Sequence, residues 1–296
     1  MDDQKVGLVL QGGGSNGAFE AGAVDELTRS GVKWDFIAGT SVGALNAAHL
    51  AQFHKSHQRN AASSLVAFWE GLRPRMVLRK WYHGLLWVLP WLWKSGMYCT
   101  APLRKTLTEH YSPAKVRGSD VEVSVSAVNL NTGEEREWTG SDLPVDALMA
   151  SSAYPMAFPP VRIDGDLYTD DGVRETTPLL RAIKAGCTEV YVVLTGAGGL
   201  HDWRAPRKPR LWHLGLRTLD IIVNEISRND LMICRQFNVM SENGVAPEGI
   251  RSIRLHVIKP ESSLGDSLDF SNAKARTNME RGRNAVAKLR NGSGHG

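Results

Sequence analysis

The strongest constraint on this chain lies in its first fifty residues. Val6-Gly7-Leu8-Val9-Leu10 is a short continuous apolar run, followed at once by Gln11-Gly12-Gly13-Gly14-Ser15-Asn16-Gly17. Such a run, without polar alternation, reads as a strand buried on both faces. From Ala18 to Ser30, Phe19, Ala23, Val24 and Leu27 share one helical face, and Gly31 supplies a stop. Phe36-Ile37-Ala38 is a second strand, and Val42 to Phe53, rich in Ala and Leu, is a second helix. This β-α-β-α order predicts an α/β fold with a mainly parallel sheet and helices on its faces.

The later chain supplies further elements. Strands are expected at Val121–Val125, at Glu135–Thr139 after the turn Asn131-Thr132-Gly133, at Val190–Leu194 and at Ile253–Ile258. Pro178 to Ala185 reads as a helix ended by Gly186, 200–210 as a loop, and Leu211 to Phe237 as a long amphipathic helix. Residues 64–98 break the pattern with Trp69, Trp81, Trp87, Trp91 and Trp93, five of the nine tryptophans. With no repeat and no low-complexity linker, the chain reads as one domain over 1–290. It carries a Trp-rich insertion at about 64–98 and a disordered tail at 291–296.

Composition narrows the class. With 42% hydrophobic and 22% charged residues in 296, this is the profile of a globular protein. The charged start Met1-Asp2-Asp3-Gln4-Lys5 lacks the pattern of a signal peptide, and no run of about 20 apolar residues reads as a membrane span. Cys99, Cys187 and Cys234 form neither a metal spacing nor a paired framework, so a cytoplasmic location is expected. The net charge of +4 is mild, but basic residues cluster at Arg73, Arg75, Arg79 and Lys80, and again at Arg204, Arg207, Lys208 and Arg210. Such patches attract anionic partners, lipid headgroups or nucleic acid.

Chemistry is suggested by Gly39-Thr40-Ser41-Val42-Gly43, which fits the G-x-S-x-G nucleophile elbow between a strand and a helix. The turn projects the Ser41 hydroxyl from the sheet edge, and flanking glycines remove side chains that would clash. The helix that follows points its partial positive charge at the reacting oxygen. Gly12-x-Gly14-x-x-Gly17 also matches a dinucleotide fingerprint, with Asp35 roughly where a ribose-binding acid would stand. That acid belongs at the end of the second strand, however, and Asp35 precedes it; Ser41 stands there instead. A glycine-rich N–H cluster beside a serine hydroxyl suits an oxyanion hole better than a cofactor cradle.

A serine needs a base. Nine histidines are present, and none sits in a motif context. Asp170-Asp171-Gly172 falls in a turn between Asp164-Gly165-Asp166 and the helix at Pro178, a context that also suits a solvated turn or an Asx cap.

Taken in order, "GGGSNG", "GTSVG", "ASSAYPMAFPPV" and "LYTDDGV…P" resemble the patatin-like phospholipase family from about Val6 to Leu180. The resemblance implies a three-layer α/β/α sandwich and a Ser–Asp dyad acting on acyl esters of glycerolipids. By position, Ser41 would be the nucleophile and Asp170 its base, with Gly12, Gly13 and Gly14 donating to the oxyanion. Gly17, Gly39, Gly43, Asp171 and Gly172 flank these motifs. Asn16 stands where the family usually has Arg or Lys, and Asp171 where it has glycine. Only 27 residues separate Gly14 from Ser41, room for one helix and one strand, whereas an α/β-hydrolase places several elements there.

The expectation is therefore a serine esterase of (lyso)phospholipids or related glycerolipids, working without metal or cofactor and without nucleic acid. Membrane contact would come through Trp81, Trp87, Trp91 and Trp93 and their basic neighbours, since tryptophan favours the headgroup boundary. The alternatives are a non-catalytic lipid-binding or regulatory protein on the same fold, or an acyltransferase using the same acyl-enzyme.

Overall fold

The computed structural model describes residues 4–81, 95–196, 206–208 and 210–292. β1 (Val6–Leu10) ends in the glycine loop, and a single 3-10 turn at Gly14–Asn16 leads into α1 (Gly17–Arg29). β2 (Phe36–Gly39) passes through Thr40 and Ser41 into α2 (Val42–Leu50). Next come α3 (Gln58–Gly71), α4 (Pro74–Val77), a ribbon of β3 (Arg79–Lys80) and β4 (Tyr98–Cys99), α5 (Ala101–His110) and α6 (Pro113–Arg117). β5 (Glu122–Asn129) and β6 (Glu135–Thr139) precede α7 (Val145–Ser151), and β7 (Val161–Ile163) and β8 (Asp166–Asp170) form a hairpin. The chain closes with α8 (Leu179–Lys184), β9 (Glu189–Val193), α9 (Leu211–Glu242), β10 (Arg254–Ile258) and α10 (Asn272–Gly292).

Among the described residues, the main sheet has eight strands in the order β10-β9-β1-β2-β5-β8-β7, with β6 also on β5. The five strands from β10 to β5 are parallel, and β6, β8 and β7 pair antiparallel. Side chains alternate across a strand, so Leu8 and Leu10 join a core beneath α1, α2, α3 and α10, while Val9 joins a second core beneath α8 and α9. The fold is thus a three-layer α/β/α arrangement on a mainly parallel sheet. Two glycines bring α10 onto α1: a Cβ on Gly22 would lie 1.9 Å from the Met279 carbonyl oxygen, and one on Gly282 2.1 Å from that of Phe19.

The structure adjusts several expectations. Residues 64–71 are the second half of α3, and Trp69 is buried in the core, its Nε1–H donating to Asn46 Oδ1 at 3.0 Å. The break in the sheet pattern therefore begins after Gly71. α2 stops at Leu50, where Phe53 N–H turns back to the Leu50 carbonyl. Trp87, Trp91, Trp93, Arg204 and the tail residues 293–296 lie outside the described residues, and 291–292 close α10.

Candidate active site

Strand β5 acts as the ruler that assembles the site. Its residue Val125 pairs with Gly39 of β2 on one edge and Trp138 of β6 on the other. Two residues further on, Ala127 pairs with Arg136 of β6 and with Asp170 of β8. β8 therefore continues along the edge that β2 has vacated. Asp170 stands about 7 Å beyond the level of Gly39, where the chain of β2 turns through Ser41 into α2.

The turn at Ser41 is strained. Its φ of 57° and ψ of −125° lie in a region that non-glycine residues rarely adopt, at a cost of about 1–3 kcal/mol. Neighbouring contacts hold it there: Thr40 N–H donates to the Leu10 carbonyl at 3.2 Å, and Ser41 N–H to Ser151 Oγ at 3.3 Å. The flanking glycines are required by space, because a Cβ on Gly39 would lie 2.3 Å from the Gly43 carbonyl oxygen and one on Gly43 2.4 Å from that of Leu10.

The glycine loop faces the same point. A Cβ on Gly12 would lie 2.9 Å from the Ser41 Cβ, and Gly13 and Gly14 have φ of 151° and 56°. Among the described residues, no acceptor takes the N–H groups of Gly12, Gly13 or Gly14. The loop is pinned from behind by buried Gln11, whose Oε1 accepts from Thr195 N–H at 2.7 Å while its Nε2 donates to Ser227 Oγ of α9 at 2.7 Å. Thr195 Oγ1 in turn donates to the Gly12 carbonyl at 2.6 Å. Gln11, Ser151, Thr195 and Ser227 were not singled out from the sequence; only the position of Gln11 beside the glycines and of Ser151 within "ASSAYPMAFPPV" hinted at a role.

Asp170 is buried, and its Oδ1 accepts from Gly172 N–H at 2.8 Å. Burial pushes its pKa up to about 7; the neighbouring Ser41 hydroxyl and Gly172 N–H pull downward, and Asp171 adds a smaller upward push. The Ser41 hydroxyl lies close enough to stabilise the ionised carboxyl, while Asp170 Oδ2 is without a hydrogen-bond partner among the described residues. Such contacts often tighten only in a substrate complex.

Asp171 points elsewhere. Its Oδ2 accepts from Ser126 Oγ and from Arg181 Nη2, the latter at 2.9 Å. The same guanidinium nitrogen meets Glu135 at 2.8 Å and Glu175 at 2.7 Å. Oxygens of the three acids lie within 4.8 Å of one another, the spacing of a cation site, and the cation among them is Arg181. The Asp171 carboxylate is thus paired with Arg181, and its push on Asp170 is smaller than that of burial.

The remaining candidates separate clearly. Asp35 accepts from Val6 N–H at 2.9 Å and pairs with Lys55, at the opposite end of β1 and β2 from Ser41. His256 accompanies Glu189 at 2.7 Å and stacks on Tyr191, near the outer edge of the sheet. His49 lines the cavity two turns along α2 from Ser41; burial lowers its pKa to about 4, and its Nε2 meets Ser64 Oγ at 3.0 Å. Trp81 is half-buried, with Nε1–H donating to the Gly96 carbonyl at 3.0 Å.

Ser41, Asp170 and the three loop glycines open into one cavity of about 870 Å³. That volume is within the range of small-molecule sites, ~300–1,000 Å³. Leu45, Leu65, Phe68, Leu103, Leu107 and Phe270 line much of its wall. A hydroxyl, a buried carboxyl and free main-chain donors at the end of an apolar cavity make up the set that acyl transfer requires.

A family model described as patatin-like phospholipase matches residues 8–183. The chain belongs to the patatin-like phospholipase family. This patatin-like chain is 22% identical over 207 residues to the lysophospholipase NTE1 of Debaryomyces hansenii, covering 68% of this chain and 12% of that protein. It is 26% identical over 237 residues to YjjU, an uncharacterised protein of Escherichia coli, covering 76% and 62%. A cGAMP-activated phospholipase of Pseudomonas aeruginosa is 27% identical over 187 residues, covering 58% and 53%. The chain therefore spans about one eighth of the length of the NTE1 relative and less than two thirds of the two bacterial ones. VipD of Legionella pneumophila aligns over 97% of this chain and 66% of its own, at 10% identity and a TM-score of 0.44. Among the described residues, no helix is long and apolar enough to cross a membrane.

Proposed function

We propose that the chain is a lipid acyl hydrolase that cleaves fatty-acyl esters of (lyso)phospholipids or related glycerolipids through Ser41 and Asp170. The observation that carries this reading is the apolar cavity of about 870 Å³ ending at a strained serine, a buried carboxyl and unengaged glycine N–H groups. Family membership supports the lipid class, and the name of the NTE1 relative favours a lysophospholipid.

In the proposed reaction the Ser41 Oγ attacks the ester carbonyl carbon as Asp170 takes its proton. The carbonyl oxygen becomes an oxyanion held by N–H groups of Gly12, Gly13 and Gly14. Collapse breaks the ester bond, and the leaving alkoxide recovers the proton from Asp170. Water then gives a proton to Asp170 and attacks the acyl-Ser41 carbonyl, and the second collapse frees the fatty acid and returns the proton to Ser41. The test is labelling of Ser41 by a fluorophosphonate together with release of fatty acid from lysophosphatidylcholine; a chain that does neither is the lipid-binding protein instead.

The pH profile follows from the carboxyl. Asp170 acts as base only when ionised, and its pKa is raised to about 7. kcat/KM on a soluble short-chain ester should rise about tenfold per pH unit below that value and level off above it. A profile flat from pH 5 to 8 would remove Asp170 from the role.

Gln11 is expected to act by position. Gln11→Ala should lower kcat about 10–100-fold through a shifted glycine loop, with KM little changed and fluorophosphonate labelling slowed in parallel. Labelling at the native rate would leave Gln11 a purely structural part.

Membrane contact by Trp81, Trp87, Trp91 and Trp93 is a separate part of this proposal, supported by the affinity of tryptophan for the headgroup boundary.

A further inference from the structure

Helix α9 has two contrasting faces along its 32 residues. Ser227 and Cys234 are buried, and Leu231 and Phe237 pack with Cys234 against the core beneath the sheet. The opposite face exposes Leu214, Ile221, Ile222, Met232, Ile233 and Val239. Their separations of seven and eleven residues are two and three helical turns, so they form one stripe. The exposure is substantial: Met232 is 51% and Val239 58% accessible. Thr218, Glu225, Asn229 and Gln236 fall within the stripe, and Glu225 pairs with Arg228 at 3.2 Å.

Charge borders the stripe. Arg207, Lys208 and Arg210 are exposed immediately before its first turn, within the basic cluster that the sequence singled out. Arg228 and Arg235, also exposed and seven residues apart, run along one flank. A helix with an apolar stripe, wet polar interruptions and a basic margin is built to lie at the headgroup boundary of an anionic bilayer.

The same helix reaches the cavity. Asp220, Val223 and Asn224 line it, and Asp220 accepts from the Tyr154 hydroxyl at 3.3 Å. Ile221 and Ile222 lie between these lining residues in sequence but project from the opposite side of the helix.

We propose that the exposed face of α9, with Arg207, Lys208 and Arg210, docks the protein on anionic lipid. The docking does not depend on the hydrolase reading.

The test is flotation of the full chain with vesicles of phosphatidylcholine alone or with 30% phosphatidylglycerol. It is run in both the native and the Ser41→Ala background, so that binding is read independently of turnover. Native protein should float with the anionic vesicles, less so as salt is raised. Ile221→Ser/Met232→Ser and Arg207→Glu/Lys208→Glu should each weaken flotation about tenfold or more, with unchanged thermal melting. Turnover of a soluble short-chain ester should stay at the native level in both variants. A fourth protein with 82–94 replaced by a Gly-Ser linker tests the tryptophan contact directly.

Native flotation in the two α9 variants overturns the proposal, as does native protein that floats with neither vesicle. Loss of flotation in the linker protein alone transfers the contact to the tryptophans. A dimer that the Ile221→Ser/Met232→Ser variant disrupts, without vesicle binding by either, assigns the stripe to a second copy. Should the ester assay fail while flotation behaves as expected, the hydrolase reading falls and the docking surface stands.

Discussion

Ser41→Ala should lower kcat/KM for phospholipid and short-chain ester alike by about 10⁴-fold or more, the scale seen when a covalent nucleophile is removed. The substitution deletes one oxygen at a half-buried position and creates no void in the core, so melting should be unchanged. Asp170→Asn is the sharper companion. The amide keeps the size and much of the packing of the carboxyl, and its Oδ1 can still accept from Gly172 N–H. It has no basicity, so acylation should fall about as steeply, by ~10⁴-fold. Burst kinetics with a chromogenic ester separate the two steps, since both variants should lose the burst and the steady state together. Native turnover in either variant would end its proposed role.

Arg181→Met should destabilise the fold strongly. The Arg181 guanidinium is buried and meets Glu135, Asp171 and Glu175, all within 2.9 Å. Removing one partner of a buried ion pair costs about 3–5 kcal/mol; here the Asp171 carboxylate left behind is fully buried, while Glu135 and Glu175 keep some contact with water. Burial already raises the pKa of all three acids, in Glu175 to about 7 from an ordinary 4.5. A carboxyl with a higher pKa when folded binds more protons in that state, so its contribution to stability is greatest at low pH. For Glu175 that contribution is lost as pH rises from the unfolded value toward about 7. Losing Arg181 raises these values further, so the deficit of the variant should be larger at pH 8 than at pH 5. Urea denaturation at the two pH values measures it; an equal deficit at both would mean that Arg181 contributes packing and not charge.

Much of the fold is written locally. The apolar run Val6–Leu10, the helical face of Phe19, Ala23, Val24 and Leu27, and the stop at Gly31 need no distant partner to be read. The long helix after Arg210 is equally plain from its periodicity, although it runs to Glu242 rather than Phe237. α10 is hidden in the sequence because its charged residues dominate. Its buried line of Ala275, Met279, Gly282 and Val286 follows the spacing of a packed helix but relies on a glycine and an alanine, which carry little apolar signal. The two-residue strands β3 and β4 are too short for any periodicity to show.

The candidate site divides along the same line. The elbow at Ser41 and the donors at Gly12–Gly14 are adjacent strand ends, legible because one β-α-β unit supplies both. The carboxyl comes from a hairpin strand more than a hundred residues away, and its place depends on the register of β8 against β5.

Sequence alone determined the opening β-α-β-α unit, the turn that presents Ser41 and the glycine loop beside it. Short-range sterics and hydrophobic spacing encode each of these. Tertiary structure decided which of two adjacent acids stands next to Ser41. Neighbouring residues at a strand end leave in different directions, and a one-residue slip of register would exchange them. In the observed register Asp170 lines the cavity and Asp171 meets Arg181.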